Sequence, residues 1–156
     1  MRNKLAKVCF TGPRGLPANQ CALVEGYLTH YIDLIIQTYN KYEFHVGDAL
    51  GLDKCVVKLM AKLDLPVIIH EVVDRRQKSA YARRSIAMVE ACSDADKCMI
   101  FGFPNKECPD SITLMNPFCG SGSGTWATLA YAQSKRFYLN IQPLSKVSMP
   151  SWTSHI

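Results

Sequence analysis

The chain has 156 residues, 48% hydrophobic and 20% charged, a balance that excludes a disordered chain and suits one domain with its own core. Eighteen Lys and Arg against thirteen Asp and Glu leave a formal charge of +5, too mild for a protein that coats nucleic acid yet suited to an anionic ligand. No apolar run approaches membrane-spanning length, and residues 1–8 lead into a strand pattern without a signal-peptide core, so a cytoplasmic protein without a membrane partner is expected.

In chain order, Val8-Cys9-Phe10 reads as a strand ended by Thr11-Gly12-Pro13. A long helix follows over 19–39, with Leu23, Tyr27, Tyr31, Leu34 and Ile35 recurring at helical spacing. Glu43 to Val46 is the second strand, followed by the turn Gly47-Asp48-Ala49-Leu50-Gly51-Leu52 and a helix from about Asp53 to Leu63. Asp53 is the expected N-cap of that helix. Val67 to His70, opened by Pro66, is the third strand, and a helix from about Ser79 to Cys92 follows a charged segment. Lys97 to Phe101 is the fourth strand. A long connection leads to Cys119-Gly120-Ser121-Gly122-Ser123-Gly124-Thr125, a helix over 126–133 and a fifth strand over 136–141. Residues 142–156 read as a C-terminal tail outside the 1–141 domain, with Trp152 packing back onto the body.

The βαβαβαβαβ order predicts a Rossmann-like three-layer α/β/α sandwich around a mostly parallel sheet of about five strands. In such sheets ligands sit beyond the carboxyl ends of the strands. Gly12, Gly47, Gly51, Gly102 and the 120–124 cluster all follow strands, so they should converge on that edge. Glycines allow close backbone approach, and successive N–H groups at a helix start attract phosphate. Ser121, Ser123 and Thr125 add hydroxyls that can donate to the anion or cap the helix. The spacing matches neither a dinucleotide fingerprint after the first strand nor a phosphate loop ending in Gly-Lys.

Seven cysteines and four histidines form no CxxC pair and no ligand spacing, so neither a metal nor a cofactor is expected. Cys9, Cys55 and Cys98 read as core, and the thiols as reduced. The long connection carries Phe103 and Phe118, which either sandwich a base or pin the loop to the core.

Four segments together resemble the SLOG superfamily of DprA-like and LOG-like proteins: 10–15, 47–53, 83–88 and 120–125. The resemblance covers residues 7 to about 141 and implies a nucleotide or nucleotide-derived ligand. By that resemblance Gly12, Pro13 and Arg14 form the first loop, and Gly47, Gly51 and Asp53 the second. Gly122, Gly124 and Thr125 form the phosphate loop, and Arg84, with Met88 four residues on, the arginine helix. Arg14 and Arg84 would neutralise phosphate, and Asp48 or Asp53 would accept from ribose hydroxyls. On this reading Arg84 matters more to the ligand than to the fold. Thr128 stands where LOG-like hydrolases have a catalytic glutamate, so a sensor or processing module is favoured over an N-glycosidic-bond hydrolase. In that second reading, Asp48 or Asp53 would replace the glutamate and Arg84 would join the catalytic set. Single-stranded nucleic-acid binding is the third and least favoured reading. The resemblance also implies a homodimer, through the apolar face of Ile86, Met88 and Val89.

Overall fold

The computed structural model describes residues 3–120 and 122–153. Its strands are β1 (Leu5–Thr11), β2 (Lys41–Gly47), β3 (Ile68–His70), β4 (Lys97–Gly102) and β5 (Tyr138–Ile141). Between them run the helices α1 (Ala18–Thr38), α2 (Leu52–Lys62), α3 (Ala80–Ala91) and α4 (Gly124–Ser134). The sheet order is β3-β2-β1-β4-β5, and every neighbouring pair is parallel. The chain therefore builds outward from β1 to β3, returns to lay β4 beside β1, and finishes at β5. The reversal lies between β1 and β4.

Successive side chains of a strand point to opposite faces, and β1 and β4 divide their residues accordingly. Val8, Phe10, Met99 and Phe101 face α1 and α2, in a core with Val24, Leu28, Ile32, Phe44 and Met60. Cys9 and Ile100 face α3 and α4, in a second core with Met88, Val89, Trp126 and Leu129. The Phe10 ring stacks between Phe44 and Phe101, with centroids 6.3 and 5.8 Å away.

Several expectations shift at this level. The core face of α1 is Val24, Leu28, Ile32 and Ile35, whereas Leu23 and Leu34 are exposed and Tyr27 and Tyr31 are half-buried. β3 is an edge strand, so Ile68 and Ile69 in its apolar run remain exposed. Cys9 and Cys55 are buried, but Cys98 is only partly so. β5 starts at Tyr138, because Arg136 and Phe137 form the turn that ends α4. Of the face expected to pair with a second copy, Met88 and Val89 lie in the chain's own second core and Ile86 is half-buried.

Residues 142–153 run back along the segment that leaves β4. Gln142 N–H donates to Gly102 O, Leu144 N–H to Pro104 O, and the Ser145 hydroxyl to Asn105 O. Glu107 accepts from Ser148 N–H, and the Trp152 ring meets Trp126 edge-on at 6.0 Å. The long connection is likewise anchored, with Phe103 and Ile112 buried.

Candidate functional site

A cavity of about 900 Å³ opens beside the ends of β1 and β4, between the start of α4, the loop after β1 and one side of α3. Its lining includes Gly12, Pro13, Arg14, Gly47, Asp53, Arg84, Gly120, Gly122, Ser123, Gly124 and Thr125. Asp48, Gly51 and Gly102 are not part of that lining. Ser121 lies outside the described residues.

The start of α4 is built as a helix terminus with an open mouth. Ser123 is the N-cap, and its hydroxyl accepts from Trp126 N–H at 3.4 Å. The first N–H groups of a helix have no partner within it. Those of Gly124 and Thr125 have no acceptor among the described residues, and both residues line the cavity. Gly120 and Gly122 have φ of +81° and +85°, a region that favours glycine, and a side chain on either or on Gly124 would enter open space. Trp126, buried behind this turn, donates from Nε1 to Lys106 O at 2.7 Å. Lys106 Nζ in turn reaches Gly122 O at 3.3 Å.

The other four glycines expected at the site serve packing. A Cβ on Gly12 would collide with Leu52, one on Gly102 would lie 2.6 Å from Leu129 Cδ2, and one on Gly51 would strike the backbone of Pro13 and Arg14. Gly51, at φ +76°, lets α2 begin against the loop after β1, where Leu52 N–H donates to Pro13 O at 3.0 Å. Gly47 leaves room for the Arg84 guanidinium; a Cβ there would stand 2.6 Å from its Cζ and 2.7 Å from Asp53 Oδ2.

Arg84 departs most from expectation. Its side chain is only 10% exposed, with Nη1 2.8 Å from Asp48 Oδ1 and 3.7 Å from Asp53 Oδ2. Nε is buried with no partner among the described residues. The arginine is therefore a buried hub between two carboxylates that also lines the cavity. Asp48 also accepts from Val72 N–H and Arg75, which turns it away from the cavity and onto the β3–α3 connection. Asp53 lies inside α2 rather than at its cap, and its Oδ2 accepts from Ala49 N–H at 3.0 Å. Burial pushes the Asp53 carboxyl up to about 6, against the opposing pull of the Arg84 guanidinium.

Cations that line the cavity with exposed heads are Arg14, Lys78 and Lys106. The Arg14 guanidinium stacks over the Tyr81 ring at 3.9 Å. Sequence reasoning missed Lys78, Tyr81 and Lys106, because no local spacing ties them to the glycine-rich loop. Phe118 lines the cavity and packs against Tyr131, whereas Phe103 is wholly buried, so the two rings do not form a sandwich. Thr128 borders the cavity with its hydroxyl turned into the helix, donating to Gly124 O at 2.7 Å.

Comparison with protein-family models, with curated proteins and with solved structures finds no match. The fold and site define an α/β domain with an all-parallel sheet and a cavity at its topological switch point.

Proposed function

We propose that this protein binds a nucleotide or nucleotide-derived ligand at the switch point, with phosphate at the start of α4, as a sensor or processing module. The observation that carries this reading is the start of α4, where Gly124 and Thr125 line a cavity bordered by Arg14, Lys78 and Lys106. Asp53 supplies an acceptor for sugar hydroxyls, and Tyr81 and Phe118 supply flat faces for a base. The cavity of about 900 Å³ falls in the range of small-molecule sites.

Mass spectrometry of small molecules co-purifying with the protein identifies the ligand class, and calorimetry with nucleoside monophosphates and NAD measures affinity. Gly124→Asp separates binding from folding. An acidic residue in the first turn of a helix is favourable to the helix, but here it would place a negative charge where the phosphate sits. Affinity should fall at least tenfold, about 1.4 kcal/mol, with no loss of melting temperature in the ligand-free protein. Unchanged affinity would remove the α4 terminus from the site.

Asp53 also supports a second reading, cleavage of an N-glycosidic bond. Its carboxyl lines the cavity and is pushed up to about 6, within the range of a general acid or base. Release of free base from nucleoside monophosphates or NAD, abolished in Asp53→Asn, would establish it; its absence with ligand bound leaves the binding module.

A further inference from the structure

On the sheet face opposite α4, two thiols from different helices come together. Cys21 Sγ lies 2.6 Å from Cys55 Sγ, and Cys55 Sγ lies 3.7 Å from the Cys21 carbonyl oxygen. Cys21 sits in the first turn of α1 and Cys55 in the first turn of α2, with backbone N–H groups on Pro17 O and Gly51 O. Glu25, one turn along α1, brings a carboxylate oxygen within 4.8 Å of both sulfurs. Lys62 holds that carboxylate at 3.3 Å.

Two cysteines and a carboxylate suggest either a soft metal ion or a redox pair. Thiolates sharing a tetrahedral zinc, each about 2.3 Å from it, stand about 3.8 Å apart. The sulfurs here are much closer, and Glu25 is already held by Lys62. The geometry points to a reversible disulfide site between Cys21 and Cys55, formed by exchange with a low-molecular-weight disulfide. Cys21 is partly exposed and Cys55 is buried, which sets the order of events. The Cys21 thiolate attacks the external disulfide, forming a mixed disulfide and expelling one thiolate. Cys55 sulfur then attacks Cys21 Sγ, expelling the second thiolate, which takes up the Cys55 proton. Two protein thiols are oxidised by two electrons, and the external disulfide is reduced to two thiols. Burial and the adjoining Cys21 push the Cys55 thiol up to about 12, consistent with its acting second.

The bond would join the first turns of α1 and α2, directly behind the interlocked loops that present Pro13 and Arg14 to the cavity. This proposal does not depend on the identity of the cavity's ligand.

The test uses the full chain, incubated in graded mixtures of oxidised and reduced glutathione, trapped with iodoacetamide and weighed intact. Two alkylatable thiols should disappear together, and peptide mapping should join the segments carrying Cys21 and Cys55. Cys55→Ser, or Cys55→Ala if the serine variant fails to fold, should instead accumulate a glutathione adduct on Cys21. The oxidised wild type should melt higher than the reduced form by ~5 °C. Joining of a different pair, or a persistent adduct on wild-type Cys21, would overturn the proposal. So would one-to-one zinc binding that shields both thiols.

Discussion

Arg84 illustrates how burial changes the meaning of a residue. An exposed arginine on a helix contributes within about 0.5 kcal/mol to stability. Held nine-tenths buried at 2.8 Å from Asp48 and 3.7 Å from Asp53, it instead offsets two carboxylates that would otherwise confront each other. Removing one partner of a buried ion pair costs about 3–5 kcal/mol. Arg84→Ala should therefore lose about 3 kcal/mol in urea denaturation, the lower figure because Arg75 still holds Asp48. A loss under 1 kcal/mol would show that the pairs are solvated. Asp53 gives a pH signature of the opposite sense to an ordinary ion-paired acid. Its folded pKa of about 6 lies above that of the unfolded chain, so between about pH 4 and 6 the native state holds a proton that the unfolded state has released. Stability should fall as pH rises through that window, by up to about 3 kcal/mol. Asp53→Asn keeps an oxygen for Ala49 N–H and should flatten the slope; parallel pH curves for the two proteins would refute the assignment.

At the scale of elements, α2 and α4 end the same way. Leu65 N–H reaches back to Met60 O and Phe137 N–H to Ala132 O, with Asp64 and Arg136 between them at φ of 56° and 64°. That left-handed position usually belongs to glycine. Arg136→Gly should therefore stabilise the protein by about 0.5–1 kcal/mol, read as a higher denaturant midpoint at unchanged slope. The main elements were legible in the sequence, since alternating short apolar runs and helical periodicity place all five strands and the four α-helices within a few residues of their observed spans, while the 3-10 turn Ser151–Thr153 fell in the segment read as a tail. The orientation of α1 was not. Leu23, Tyr27, Tyr31 and Leu34 form one apolar stripe and Val24, Leu28, Ile32 and Ile35 another, so periodicity alone cannot choose which faces the sheet.

Across the whole molecule, the segment 142–153 and Trp126 of α4 both fasten the β4 end of the long β4–α4 connection, and Phe118 near its other end packs on Tyr131 of α4. The C-terminal segment, read from sequence as a tail, supplies backbone donors to Gly102 and Pro104 and covers Trp126 with Trp152. Truncation after Ile141 should lower the melting temperature by ~5 °C or more and increase protease cleavage within 103–123. An unchanged melting point would show that the segment is dispensable. Separation along the chain explains what could be read of the site. The glycine-rich loop at the sheet edge follows from strand order, a local inference. The pairing of Arg84 with Asp48 crosses 36 residues. The stacking of Arg14 on Tyr81, and the packing duties of Gly12, Gly51 and Gly102, likewise exist only once the loops have met.

The chain's two tryptophans stand together at one place, Trp126 lining the cavity at the first turn of α4 and Trp152 edge-on against it at 6.0 Å. All of the indole emission therefore originates beside the cavity. Under the proposed function, a ligand at Gly124 and Thr125 would change the field at the adjacent indole, so intrinsic fluorescence and near-ultraviolet dichroism should report occupancy without any attached dye. The molecule carries its own optical gauge, ready for titration against a library of candidate ligands.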